Sequence, residues 1–248
     1  MLIAIGCPLI HNNVLYNTAF IIFEGKILGI VPKSYIPNYS EFYEKRWFTA
    51  AAMLTDELVA LPFQENIPFG TNLIFAAGDY KFGIEICEDL WVTIPPSSYL
   101  SLLGANIIGN LSASNELVSK KDYRLSLIAN QSARCMSSYI YSSAGVHEST
   151  TDLLFSGHLV ISENGTILKE NNRFQRENEV ITSCIDVFKL NAERLKNLSY
   201  RCPPWLCHRR LPHIGRSGLQ CRQCRRSTVS PCLPAARLRW NPSAGPLP

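Results

Sequence analysis

Lys81-Phe82-Gly83-Ile84-Glu85-Ile86-Cys87-Glu88-Asp89-Leu90-Trp91 is the stretch from which the rest of the chain is read. Phe82, Ile84 and Ile86 alternate with Lys81, Gly83 and Glu85, the period of two that buries one face of a strand. The pattern breaks at Cys87, so the chain turns there and the sulfur stands at the end of a strand, at the edge of a sheet. In such a place neighbouring backbone N–H groups favour a thiolate. A small buried core thiol is the competing reading, since free cysteine is among the most often buried residue types.

Working outward, residues 73–76 pair with 81–86 as a hairpin around Gly78-Asp79, and residues 20–23 pair with 27–31 around Glu24-Gly25-Lys26. Downstream, residues 105–111 form a short apolar strand that ends in Ser112-Ala113-Ser114-Asn115. A helix over 121–137 follows, with Tyr123, Leu127, Ile128 and Cys135 on one face. Strands are expected at 139–144, 158–163 and 166–169, the last two joined at Asn164-Gly165, then near 180–185, and a helix closes this part at 187–198. Strands alternating with helices, mixed with hairpins, predict an α/β domain with antiparallel pairs rather than a purely parallel sheet. The sequence holds no Gly-x-Gly-x-x-Gly, no phosphate-binding P-loop and no internal repeat.

The 248 residues are 46% hydrophobic and 18% charged, enough for one full-sized globular domain and unlike a disordered or collagen-like chain. No apolar run approaches the roughly 18 to 20 residues of a membrane span, and Met1-Leu2-Ile3-Ala4-Ile5 lacks the basic start of a signal peptide. A cytoplasmic protein without a membrane partner is therefore expected. The net charge of +4 divides unevenly. Residues 1–200 carry 15 Lys and Arg against all 20 acids, whereas residues 201–248 carry nine Arg, no Lys and no acid, with eight of the 15 prolines and five of the nine cysteines. Two regions follow, a domain over 1–200 and a basic tail over 201–248. Cys221-x-x-Cys224, with Cys202, Cys207, His208, His213 and Cys232 near it, admits a zinc knuckle on an Arg-rich surface. Irregular spacing favours a disordered tail with neither metal nor nucleic acid.

Residues 31–48 carry a second chemical signal. Lys33 leaves a hairpin strand and enters a loop of Pro, Asn and Tyr, so its ammonium can reach into a pocket; a lone lysine is more often on the surface, and Tyr39, Tyr43 and Trp47 read equally well as core.

Four segments together resemble one family: Pro32-Lys33-Ser34-Tyr35-Ile36-Pro37-Asn38-Tyr39-Ser40-Glu41-Phe42-Tyr43-Glu44, the segment 85–91, Asn110-Leu111-Ser112-Ala113-Ser114-Asn115, and Glu148-Ser149-Thr150-Thr151-Asp152. In this order they resemble the glutaminase domain of glutamine-dependent NAD synthetases, within the nitrilase (carbon-nitrogen hydrolase) superfamily, from about Leu2 to Tyr200. The resemblance implies an αββα sandwich and a Cys-Lys-Glu site that needs no cofactor. Cys87 is then the nucleophile on the side-chain amide of glutamine, leaving a glutamyl thioester that water hydrolyses. Lys33 and the N–H of Glu88 stabilise the oxyanion. Glu41 orients Lys33, while Tyr39, Glu88, Ser114 and, more weakly, Lys120 hold the amino-acid group.

Departures accompany the match. The family's general-base glutamate lies well upstream of the lysine, whereas only 32 residues precede Lys33 here and Glu24 is the sole acid among them. The first strand-helix-strand segment is therefore expected to be lacking, with an unpaired sheet edge and aggregation or dependence on partner chains as the consequence. His147 and Ser156 stand where glycine and aspartate are usual, and no synthetase-type Ser-Gly-Gly-x-Asp-Ser loop occurs. The partners implied are glutamine, a second copy of the chain or a synthetase domain. A non-catalytic binding module and a stand-alone nitrilase-type amidase remain as rival readings.

Overall fold

The computed structural model describes residues 1–200; the tail reading and its cysteine and histidine candidates lie outside the described residues. Among the described residues eleven strands form two mixed sheets. The first contains β1 (Leu2–His11), β2 (Val14–Phe23), β3 (Lys26–Pro32), β4 (Glu57–Leu61) and β5 (Gln64–Phe69), in the order β1-β2-β3-β5-β4. The second contains β6 (Phe75–Ala77), β7 (Tyr80–Ile86), β8 (Ile107–Ser112), β9 (Ser138–Ser143), β10 (Leu159–Glu163) and β11 (Thr166–Glu170), in the order β11-β10-β9-β8-β7-β6. Strands β7, β8 and β9 run parallel, which requires crossovers. Helices α1 (Pro96–Leu102) and α2 (Lys120–Arg134) supply them, and α3 (Val187–Lys196) closes the fold with Asp186 accepting from the N–H of Lys189.

The sheets face each other across Ala19, Ile21 and Val31 on one side and Phe75, Ile84 and Ile86 on the other. The alternation read at residues 81–86 thus points its apolar face into the space between the sheets. Helices α1 and α2 cover the second sheet through Leu100, Ile108, Ile128 and Val160.

Several expectations need correction. Residues 180–185 form no strand: Val180 is exposed, and the edge strand β11 pairs only with β10. The expected helix at 121–137 ends at Arg134, and residue 136 already has a left-handed backbone. Strand β1 escaped sequence reading because Gly6 and Pro8 interrupt its propensity; ten register pairs with β2 hold it extended. Its turn uses Asn12 and Asn13 with φ of +50° and +61°, the left-handed pair that fits a two-residue hairpin. As an edge strand, β1 leaves Leu2, Ile3, Ile5 and Ile10 exposed.

Behind the second sheet lies a buried ionic cluster. Arg124 of α2 donates from Nε to Nδ1 of His158 (3.0 Å) and from Nη2 to Glu116, which also accepts from Arg173 Nη1 at 2.9 Å and Ser156 Oγ at 2.6 Å. His158 Nε2 lies 3.1 Å from Glu170. With Nδ1 accepting from a guanidinium, the imidazole is neutral and protonated at Nε2. Burial, then the Arg124 charge, pushes His158 down to about 4, against the pull of Glu170. The fold therefore favours the uncharged ring: that contribution is complete above about pH 6.5 and is lost as pH falls toward 4. It amounts to about 3 kcal/mol over the window. Denaturant unfolding of the wild type at pH 7, 5.5 and 4.5 should show this decline, and His158→Gln, though weaker at pH 7, should show a shallower one. Equal slopes for the two proteins would refute the assignment.

Candidate active site

Cys87 stands immediately after β7, at the start of a 3-10 turn over Cys87–Leu90, and its φ of +48° is left-handed. A non-glycine residue held there costs of order 1 to 3 kcal/mol, so its surroundings must enforce it. Two side chains do so. Asn110 at the adjacent position of β8 accepts from the N–H of Cys87 (3.2 Å), and Asp89 accepts from the N–H of Ile86 (3.0 Å). Asn110 is itself oriented: its Nδ2 donates to the Tyr139 hydroxyl at 3.1 Å, and Tyr139 donates to the buried Glu85. The other Glu85 oxygen accepts from the N–H of Ser97 at 2.7 Å.

Lys33 follows β3 and is 1% exposed. Its N–H donates to the carbonyl of Asn17 (2.8 Å), which fixes the loop start. Both oxygens of Glu44 accept from its Nζ, at 3.0 and 2.7 Å. The expectation for Glu41 is corrected here: Glu44, not Glu41, orients the lysine. Ser40 has a left-handed φ of +50° that turns the chain, and the 3-10 turn Glu44–Arg46 brings the later carboxylate back over Lys33. Glu41 instead accepts from the side-chain amide of Asn115.

The remaining candidates line one cavity of about 420 Å³ with Cys87: Tyr39, Glu41, Glu88, Ser114 and Lys120. The Tyr39 hydroxyl donates to both oxygens of Glu88, at 2.9 and 3.0 Å, and burial, followed by that hydrogen bond and then the Glu88 charge, pushes the phenol well up. Burial also raises Glu88, with the Tyr39 hydroxyl and the nearby Lys33 charge opposing it. Lys120 lies 5.1 Å over the Trp91 ring and 5.9 Å over the Phe42 ring, and donates to Asn115. Burial lowers its ammonium from the ordinary lysine value. Lys33 does not line this cavity, but its charge acts on Glu88, which does.

Asn110, Asn115, Asp89 and Glu44 were inside the quoted motifs but received no role. Their signal is tertiary: each acts on a residue at least 11 positions away, beside the short-range bonds of Asp89 to Ile86 and of Lys120 to Asn115. His147, one of the two departures, accepts from or donates to no catalytic candidate; its ring meets the carbonyl of Arg176 at 3.1 Å. Ser156 donates to Glu116. Among the described residues no group of three His, Cys, Asp or Glu side chains converges as a metal site, and no helix is long and apolar enough to cross a membrane.

The carbon-nitrogen hydrolase family profile matches residues 1–192. The glutamine-dependent NAD(+) synthetase of Mycobacterium tuberculosis (strain ATCC 25618 / H37Rv) is 40% identical over 198 residues, 78% of this chain and 29% of that protein. The chain thus spans less than a third of that relative's length. In three dimensions it is similar to a glutamine-dependent NAD(+) synthetase from Cytophaga hutchinsonii (TM-score 0.62, 24% identity, 72% of this chain and 28% of that one). It is also similar to a carbon-nitrogen hydrolase from Helicobacter pylori G27 (TM-score 0.59, 19% identity, 79% and 66%). These two structural likenesses establish the fold.

Proposed function

This chain belongs to the carbon-nitrogen hydrolase family, and we propose that its Cys87 site is the glutamine-hydrolysing, ammonia-supplying site of a glutamine-dependent NAD synthetase. The observation that supports this best is the cavity itself. A strained, strand-end cysteine opens onto walls that carry two carboxylates, Glu41 and Glu88, and one ammonium, Lys120, so that both charges of a zwitterionic amino acid find an opposite charge there. Tyr39 and Ser114 complete the grip on the amino-acid group.

In this reading the Cys87 thiolate attacks the carbon of the side-chain amide. Lys33 and the N–H of Glu88 offset the charge that gathers on the oxygen. The C–N bond breaks as the nitrogen takes up a proton and leaves as ammonia, and water then cleaves the thioester to give glutamate and the free thiol. We read the two facing sheets and the helices over the second as the αββ part of a nitrilase-type αββα sandwich. The ammonia acceptor is assigned to a synthetase domain.

A glutamine-shaped electrophile tests the site without requiring turnover. Incubation of the full chain with 6-diazo-5-oxo-L-norleucine should give a single adduct on Cys87, with the sulfur displacing nitrogen gas. L-glutamine should suppress the adduct, L-asparagine should not, and Cys87→Ala should form none. Labelling that glutamine fails to suppress would overturn the assignment in favour of another amide.

A further inference from the structure

We propose that Asp89 is a positioning residue that ties the loop carrying Lys33 to the turn carrying Cys87 and so sets the ammonium against the sulfur. The inference rests on the reading of Cys87 and Lys33 given above. Asp89 is 1% exposed and touches no part of the cavity. Its Oδ1 accepts from the N–H of Tyr35 at 2.9 Å. Its Oδ2 accepts from the N–H of Ile86 at 3.0 Å and from that of Ser34 at 3.4 Å.

Those three donors belong to two different sheets' ends. Ser34 and Tyr35 directly follow Lys33 beyond β3, and Ile86 is the last residue of β7, directly before Cys87. The strands β2 and β3 touch β7 only through side-chain packing, since no backbone ladder joins the two sheets. One carboxylate thus supplies hydrogen bonds to the residue beside the nucleophile and to the residue beside the cation. Burial pushes the Asp89 carboxyl up to about 7, opposed by the Ile86, Tyr35 and Ser34 N–H groups and reinforced by Glu85. A buried acid held at that cost needs a reason, and tight packing alone would be met by leucine.

Asparagine is nearly isosteric but has one acceptor oxygen, so it keeps the bonds on one side and sets an NH₂ against an N–H on the other. The experiment follows carbamidomethylation of Cys87 by iodoacetamide in the full chain, resolved peptide by peptide in a mass spectrometer at pH 7 and pH 9. The proteins are wild type, Asp89→Asn, Lys33→Met and the double variant. At pH 7 both single variants should alkylate Cys87 about tenfold more slowly than wild type, and at pH 9 all four should converge. The double variant should be slowed by clearly less than the product of the two single effects, because part of what Asp89 does runs through the lysine. A wild-type rate in Asp89→Asn with a slowed Lys33→Met would overturn the clamp and leave the site reading intact. A wild-type rate in Lys33→Met would overturn the site reading itself. A simple loss of fold raises the pH 9 rate rather than leaving it unchanged, so it does not imitate the expected result. Should Asp89→Asn fail to fold, Tyr35→Pro removes the 2.9 Å donor and leaves the carboxylate in place. It should show the same slowing at pH 7, and its absence would equally overturn the clamp.

Discussion

Glutamate release from glutamine by the purified chain is expected to run about 10²- to 10⁴-fold below that of a full-length relative, and what remains should vanish in Cys87→Ala. Forming and hydrolysing a thioester both move protons: the thiol must lose one, the departing nitrogen must gain one, and the attacking water must lose one. Lys33 can stabilise charge, but an ammonium accepts no proton while it is charged. The carboxylates around the site are all engaged. Glu44 spends both oxygens on Lys33, Glu88 holds the Tyr39 hydroxyl with both of its own, and Glu41 holds Asn115. Among the described residues none of them is hydrogen-bonded to the Cys87 sulfur. Positioned acid-base groups contribute about the range stated, and members of a catalytic unit do not act additively. An enzyme-coupled glutamate assay at pH 7.5 measures the rate. A value equal to that of the relative would mean that one of these carboxylates changes partner when substrate enters.

The second large effect concerns stability. Arg124→Leu is expected to cost about 3 to 5 kcal/mol, the penalty for stranding one member of a buried ion pair. Arg124 is fully buried, and the Glu116 side chain is 4% exposed. Burial raises Glu116, yet Ser156, Arg124 and Arg173 together hold its carboxyl below the ordinary value. Without Arg124 the carboxylate keeps only Ser156 and Arg173, and His158 loses the donor to its Nδ1. The loss should reach the active site, because Glu116 directly follows Ser114 and Asn115 and α2 grips that segment through Arg124. Arg124→Leu combined with Glu116→Leu should be less unstable than Arg124→Leu alone, since no fully buried charge is then left without its partner and Arg173, the other partner of Glu116, is partly exposed to water. Denaturant midpoints at pH 7.5 decide it. A single-variant loss below about 1 kcal/mol would mean that water already reaches the pair.

The strand-end placement of Cys87 was legible because it depends on local pattern. Alternation over residues 81–86 is a property of the backbone pleat, and it breaks where the strand does. The same holds for the Glu24-Gly25 turn, realised with Phe23 opposite Lys26, and for α2, whose apolar face is spaced for a helix. Residues 180–185 and β1 were misread in opposite directions. A β-branched stretch makes no strand without a neighbour to pair with, and a stretch broken by Gly6 and Pro8 makes one when ten neighbours are available.

What the sequence determined by itself was therefore local placement, with Cys87 after one strand and Lys33 after another, while Tyr39, Glu88, Ser114 and Lys120 were named from the family resemblance and the structure sets them around one cavity. Only the tertiary structure decided how those groups are held. Glu44 rather than Glu41 on Lys33, Asn110 on the Cys87 N–H, and Asp89 between the two loops are contacts across turns and between sheets. Which of two carboxylates three residues apart reaches a lysine depends on the path of the loop between Lys33 and the turn at Glu44, which includes a left-handed residue at Ser40, and spacing along the chain does not specify that path.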